Sequence, residues 1–355
     1  AWGVAWEDLT KLDYSQPGLW QYMANVFITW CRRGVDGFRC DAGYMIPLAA
    51  WKYIVARVRQ QFPDIVFLLE GLGGKISATR DLLNRANLNW AYSELFQNYD
   101  RAQIEHYLPE AIDISKNDGI MVHFAETHDN LRLAQQSETY ARMRTALCAL
   151  SSHQGAFGFA NGVEWYATEK INVHKSTSLN WGAQTNQIDH IRRLNHLLRS
   201  HPAFFTDTEV NMLQENGGNH VILLRRHIPT DKKVLVVVNL DDENQTLASW
   251  DPAAAGMNGP DFIDLLSDAT VSASPSDNLY RYLLDPGQVL CLCEDQNDLL
   301  SAQKASNQPF LVPRQIENQR LRVKAFEVLA FYIGTRDVEP VGLDRGGRRL
   351  KKNPL

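Results

Sequence analysis

Apolar positions along the chain recur with two different periods, and the two periods alternate for its first two hundred residues. Between 21 and 31, Met23, Phe27, Trp30 and Cys31 recur at helical spacing, and the stretch feeds a short apolar run at 35–41 that predicts a strand. A second helix is predicted over 46–61, closed by Phe62-Pro63. The run Ile65-Val-Phe-Leu-Leu-Glu70 is apolar without interruption, the pattern of a strand buried on both faces. A glycine turn, a helix near 79–85 and the aromatic run 88–96 follow, and another helical stretch begins at Arg101. Strands are predicted at 120–125 and 156–160, and helices at 138–151 and 189–199. Five alternations of strand and helix imply a mostly parallel sheet covered by helices.

Past residue 202 the rhythm changes. Runs at 221–224, 234–238, 280–284 and 289–293 are separated by turns, including Asp285-Pro-Gly287, and predict a small antiparallel sandwich with its own core. A Ser-, Gln- and Asn-rich linker is expected at 296–309, then a helix at 319–332 and a basic, glycine-rich tail from Asp344. The tail reads as a solvated end. The division is therefore 1–201, an α/β part; 202–295, an all-β domain; and 296–355, linker, helix and tail.

Composition narrows the function classes. The chain has 355 residues, 45% hydrophobic, and a formal net charge of −5 with no basic block, which argues against a nucleic-acid groove. With no apolar run near 18 residues, neither a membrane span nor a membrane partner is expected. No signal peptide is visible in the first residues. Five cysteines, mostly inside apolar runs and never spaced as CxxC, suggest reduced thiols in a cytoplasmic protein and no metal site. No dinucleotide or nucleoside-triphosphate loop occurs, and no cofactor is expected.

Candidate chemistry gathers at strand ends. In an extended Val35–Asp41 segment, Arg39 and Asp41 point to the same face, so the guanidinium can orient the carboxylate. That Asp can serve as a nucleophile or anionic stabiliser, or simply form a structural salt bridge. Asp41, Glu70 and Asp129 each end an apolar strand-like run, and in a parallel barrel all such ends open onto one face. Retaining glycoside hydrolysis needs such a set: an ionised carboxylate as nucleophile and a second group as proton donor, about 5 to 5.5 Å apart. Two metal ions could use the same carboxylates, although only His128 is placed to help them.

The segments Gly37-Phe-Arg-Cys-Asp41, Leu69-Glu70-Gly71 and Glu126-Thr-His-Asp129 resemble the second, third and fourth conserved regions of the alpha-amylase family, glycoside hydrolase family 13, in family order. Asp13-Tyr-Ser-Gln-Pro17 and Trp30–Phe38 fit the approach to its fourth barrel strand, and Gly162-Val-Glu-Trp165 resembles the segment after the eighth. The resemblance covers about residues 7–294. It implies a TIM (β/α)8 barrel followed by a small antiparallel β-sandwich, with Asp41 as nucleophile, Glu70 as general acid and base, and Asp129 as transition-state stabiliser. Arg39 would support Asp41, and His128 would bind hydroxyls of the reacting sugar.

The chain departs from the family pattern at Thr127, where Asn is usual, and at Gly43-Tyr44, where many amylases carry Lys-His. Only the equivalents of strands four to eight are found. The N-terminal barrel portion is therefore expected from the same gene product, as residues outside this sequence or a second fragment of a nicked chain, or from a companion chain; without it this chain could be inactive. Tyr44, which closely follows Asp41, and with less reason Trp90, Tyr92, Trp165 and Tyr166, are candidate platforms for pyranose rings, against the alternative of packing. Gly71, Gly73 and Gly74 suggest a tight turn. The expected activity is hydrolysis of α-glucosidic bonds in an α-glucan or maltooligosaccharide, through a covalent glycosyl-Asp41 intermediate. Transfer to a sugar acceptor, as in glucanotransferases or maltosyltransferases, is the enzymatic alternative, and an inactive amylase-like binding subunit is the non-enzymatic one.

Overall fold

A computed structural model describes residues 10–172, 175, 177–213, 217–307 and, singly, 321, 322, 325, 328, 329 and 332. It divides into two compact units, residues 1–91 with 309–355, and residues 92–308.

The first unit runs α1 (Pro17–Arg32), β1 (Gly37–Cys40), α2 (Leu48–Arg59), β2 (Val66–Leu69), α3 (Ile76–Asn84) and the start of β3 (Trp90–Tyr92). Pro17 opens α1, where its fixed φ suits the first turn and its missing N–H costs nothing. The apolar stripe of α1 then packs on the strands: the Phe27 ring lies edge-on to Phe38 at 4.7 Å and to Phe67 at 5.6 Å. β1 and β2 pair in parallel from Gly37↔Val66 to Cys40↔Leu69, and β2 pairs with β3 at Leu68↔Trp90 and Leu69↔Ala91. Alternation puts Phe67, Cys40, Leu69 and Ala91 in the core, and leaves Arg39 and Trp90 exposed on the opposite face.

The second unit opens on Tyr92, the end of β3, and continues through α4 (Arg101–Asn117), β4 (Ile120–Val122), α5 (Glu138–Ser151) and α6 (Ile188–Ser200). A capping box between Asp100 and Gln103 starts α4, and the Ser137 hydroxyl caps α5. The strand expected at 156–160 is reduced to one parallel bridge, His123↔Phe157. That bridge consists of His123 N donating to Ala156 O and Gly158 N donating to His123 O, both at 2.9 Å.

The same unit contains the all-β part: β5 (Thr208–Met212), β6 (His220–His227), β7 (Lys233–Asn239), β8 (Thr246–Trp250), the short helix α7 (Pro252–Ala255), β9 (Asp261–Asp264), β10 (Thr270–Ser272), β11 (Ser274–Ser276), β12 (Leu279–Leu284) and β13 (Val289–Cys293). These strands form a six-stranded sheet, β10-β9-β13-β7-β6-β5, and a three-stranded one, β11-β12-β8. The central strands of the larger sheet, β6, β7 and β13, are buried on both faces, and their side chains divide by parity. Ile222, Leu224, Leu235, Val237, Leu290 and Leu292 join Trp250, Phe262 and Leu284 in the core shared with the smaller sheet. Val221, Leu223, Val236, Val238, Cys291 and Cys293 instead join Leu147, Leu150, Leu194 and Leu197 of α5 and α6 in a second core.

The Ser/Gln/Asn-rich stretch is a helix, α8 (Gln296–Asn307), where a linker was expected. Asp295 accepts from the Asn297 amide at 2.8 Å, and Leu299 and Ala302, three residues apart, are buried in the helix-side core. Of the helix expected at 319–332, the described residues are helical; the rest of it, and the basic tail, lie outside the described residues. No described helix is long and apolar enough to cross a membrane.

Candidate active site

Asp41 leaves the C-terminal end of β1 with its side chain 73% exposed, and Arg39 Nη1 contacts its Oδ1 at 2.5 Å. A pair this open to water contributes at most about 1 kcal/mol to stability, so its consequence is orientation of the carboxylate. Glu70, which leaves β2, is buried, and the two strand ends are laced together through it. Its backbone N–H donates to Cys40 O at 3.0 Å, and its backbone O accepts from Gly43 N at 3.1 Å. Ala42, next to Asp41, takes the left-handed conformation at φ +42, and its N–H donates to Glu70 Oε2 at 2.7 Å; Leu72 N donates to Oε1 at 2.9 Å. The backbone thus holds both Glu70 oxygens beside the residue that follows Asp41.

Glycine makes this turn possible. A Cβ on Gly43 would come within 2.4 Å of Leu69 Cδ1, and Trp51 Nε1 donates to Gly43 O at 2.8 Å, fixing the turn from the core side. Tyr44 follows in a 3₁₀ turn, its ring against the Gly71–Gly74 turn, where a Cβ on Gly74 would lie 3.0 Å from Tyr44 Cγ. Trp90, 42% exposed, lies in the same lateral row as Leu68 and Arg39 and so shares the Arg39 face. In the first unit, then, Arg39, Asp41, Glu70 and Tyr44 meet around two adjoining turns.

In the second unit, β4 leads into a loop that carries His128 and Asp129. The Thr127 hydroxyl accepts from the Asp129 amide at 3.1 Å and donates to Asn130 Oδ1 at 2.5 Å, shaping the turn from which Asp129 projects. His128 Nε2 and Asp129 Oδ2 are 3.4 Å apart, with side chains 40% and 75% exposed. Beneath them is an ion pair that motif spacing does not reveal. Glu126 Oε1 meets Arg132 Nε at 2.9 Å, with the side chains 4% and 0% exposed, and Glu126 Oε2 accepts from Leu133 N at 2.6 Å. Burial raises the Glu126 carboxyl above its usual range, partly opposed by the Leu133 amide and the Arg132 charge. Arg132 Nη2 donates to Asn161 O at 2.8 Å, and a Cβ on Gly162 would stand 2.5 Å from that nitrogen. Gly162 of the Gly-Val-Glu-Trp segment is the opening through which Arg132 ties the 126–133 loop to the one bearing Trp165. The Trp165 ring pairs with that of Trp181 at 5.6 Å, and Trp181 is 80% exposed. Tyr92 packs edge-on against Phe124 at 5.0 Å, and Tyr166 is buried. Among the described residues no group of three or more His, Cys, Asp or Glu could hold a metal ion.

No family model matches the chain. Two curated relatives are alpha-1,4-glucan:maltose-1-phosphate maltosyltransferases: one from Methylacidiphilum infernorum, 24% identical over 79% of this chain and 44% of that protein, and one from Cereibacter sphaeroides, 28% identical over 66% and 42%. The chain thus spans less than half the length of these relatives. Among solved structures, an alpha-amylase from Geobacillus thermoleovorans superposes with a TM-score of 0.64 at 15% identity, over 80% of this chain and 66% of that one. The strand-end turns, the parity-split β-domain and these likenesses converge: the chain has the fold of the alpha-amylase family, glycoside hydrolase family 13, across part of its catalytic barrel and the β-domain that follows.

Proposed function

We propose that this chain carries the nucleophile and the acid–base of a retaining enzyme acting on α-glucans, and that it transfers a maltosyl unit to a glucan acceptor in preference to water. The observation that carries the reading is the pairing of Asp41 with Arg39 beside Glu70, itself held on the amide of Ala42. An exposed, oriented carboxylate is placed to attack an anomeric carbon; Glu70 gives its proton to the departing oxygen, then takes one from the acceptor hydroxyl as that oxygen displaces Asp41. The configuration is retained because two displacements occur. Asp129 and His128 take the roles the family resemblance assigns, stabilising the oxocarbenium-like transition state and binding hydroxyls. Trp90 and Trp165 are candidate sugar contacts. Tyr44 is a weaker one, since part of its ring covers the glycine turn.

Transfer is favoured over the hydrolysis expected from sequence by the two relatives, both named as maltosyltransferases. Maltose 1-phosphate is the donor this implies, with phosphate as the leaving group. Among the described residues β1 has a neighbour on one side only, an edge suited to parallel strands from the same gene product or a companion chain. The domain division is proposed as 1–201 and 202–295, with Gln296–Asn307 of the remaining segment packed as α8 into the helix-side core. Five free cysteines, all buried, fit a cytoplasmic setting.

The test supplies the chain, together with its completing strands, with maltose 1-phosphate and a maltooligosaccharide, and follows the products over time. Chain extension with release of phosphate supports transfer. Free maltose released irrespective of acceptor concentration leaves hydrolysis, and binding without turnover leaves the inactive-subunit reading. Asp41→Asn is expected to lower turnover by at least about a thousandfold with the fold intact, because the covalent route loses its nucleophile; survival of most activity removes Asp41 from that role.

A further inference from the structure

The connection between β7 and β8, Leu240-Asp-Asp-Glu-Asn-Gln245, carries two adjacent aspartates with different tasks. Asp241 folds the turn on itself: its Oδ1 accepts from the Glu243 and Asn244 amides, both at 2.9 Å, and those N–H groups hold its carboxyl below the usual range. Asn239, fully buried, fixes the turn further, donating from Nδ2 to Asn244 O at 2.8 Å and to Asp285 O at 2.9 Å. Asp242 instead reaches across the chain. Its Oδ1 accepts from Gln136 Nε2 at 3.0 Å and its Oδ2 from the Ser137 hydroxyl at 2.5 Å, residues 106 and 105 positions earlier. Both oxygens of one carboxylate in the all-β part are thus engaged by consecutive residues of the helical part.

Those two residues close the segment that bears Asp129. Ser137 caps α5, its Oγ accepting from Tyr140 N at 2.9 Å. Gln136 N donates to Leu133 O at 3.0 Å, and Leu133 N donates to Glu126 Oε2 at 2.6 Å. A chain of hydrogen bonds therefore runs from Glu126 to Asp242, and the loop it spans carries His128 and Asp129. A second contact joins the same parts: Gly287 N donates to Asp241 O at 2.7 Å, and a Cβ on Gly287 would stand 2.6 Å from Thr139 Cγ2 in the first turn of α5. With its side chain 75% exposed, Asp129 has little packing of its own to hold it, so its placement depends on the anchors of its loop.

We propose that Asp242 is a positioning residue for Asp129: by fixing Gln136 and Ser137 it sets the far end of the 126–137 segment, which makes the all-β part a working component of the site. The effect on turnover rests on the α-glucan reading above; the effect on the loop does not.

Hydrogen exchange read by mass spectrometry on the full chain compares the parent with Asp242→Ala and Asp242→Asn. Asp242→Ala is expected to speed exchange over 127–136 about tenfold, as the loss of hydrogen bonds to a charged acceptor implies, with the interiors of α5 and β7 unchanged. Asp242→Asn, which keeps the shape and one acceptor oxygen, is expected to recover most of the protection. With the completing strands, maltose 1-phosphate and a maltooligosaccharide, Asp242→Ala is expected to lower kcat about tenfold and leave the donor KM within about twofold, because the role proposed for Asp129 lies in the transition state. Unchanged exchange over 127–136 overturns the proposal, as does faster exchange throughout α5 and β7, the mark of a folding defect. Faster loop exchange with unaltered kcat also overturns it, and leaves the α-glucan reading standing. If the parent itself turns over neither sugar, the α-glucan reading fails, and the positioning role with it.

Discussion

Mild acid should destabilise the second unit, because its core holds histidines that have no room for a charge. His123, His153 and His190 are 1%, 3% and 8% exposed. Burial, with the Arg225 charge and His153 adding to it, pushes His123 down to about 3. Burial and Arg142 push His190 to about 3, and burial with Arg225 and Lys116 pushes His153 to about 4. An unfolded chain binds protons at these residues below about pH 6.5, whereas the folded chain refuses them until far lower pH. Their contribution is therefore fully present above that value and is lost progressively as pH falls from about 6.5 towards 3. At pH 5 the loss is about 2 kcal/mol for each of His123 and His190, about 4 together, a large part of the 5–15 kcal/mol typical of a domain. His153 adds in the same direction, coupled to His123. Glu126, raised by burial, works the other way and offsets part of the loss as pH falls through its folded range. Urea unfolding followed by circular dichroism at pH 7.5 and pH 5 measures the difference. A His190→Gln variant, whatever its stability at pH 7.5, should lose about 2 kcal/mol less between the two values. An unfolding midpoint equal or higher at pH 5 would refute the reasoning.

Two further outcomes are expected. Glu70→Gln should slow transfer from donors with poor leaving groups far more than from activated ones, which need no proton; equal losses on both would point to a structural role for the backbone-held carboxyl. Arg225 is fully buried and donates to Ala203 O, Leu150 O and Ser152 O at 2.8–2.9 Å, with its guanidinium 4.5 Å from the Phe204 ring centroid. Arg225→Leu should cost about 3–5 kcal/mol by orphaning those carbonyls, and a melting temperature within a degree of the parent would show that β6 does not depend on them.

The elements legible in the sequence were those whose signal is local. The period of Met23, Phe27 and Cys31 marked α1, the unbroken Val66–Leu69 run marked β2, and strand alternation placed Arg39 and Asp41 on one face, where they meet at 2.5 Å. Motif order was enough to nominate Asp41, Glu70 and Asp129, because each ends an apolar run. Tertiary structure decided the rest. Composition alone made 296–309 a linker, but the core reaches Leu299 and Ala302 and turns Gln296–Asn307 into a helix. Apolar residues promised a strand at 156–160, but among the described residues only the Phe157 bridge to His123 forms there. Nothing local pairs Glu126 with Arg132 across a loop, or reserves Gly162 for a guanidinium thirty residues away. Periodicity reports only which face of an element is apolar; a buried charge depends on partners that are distant in sequence, and those exist only once the chain has folded.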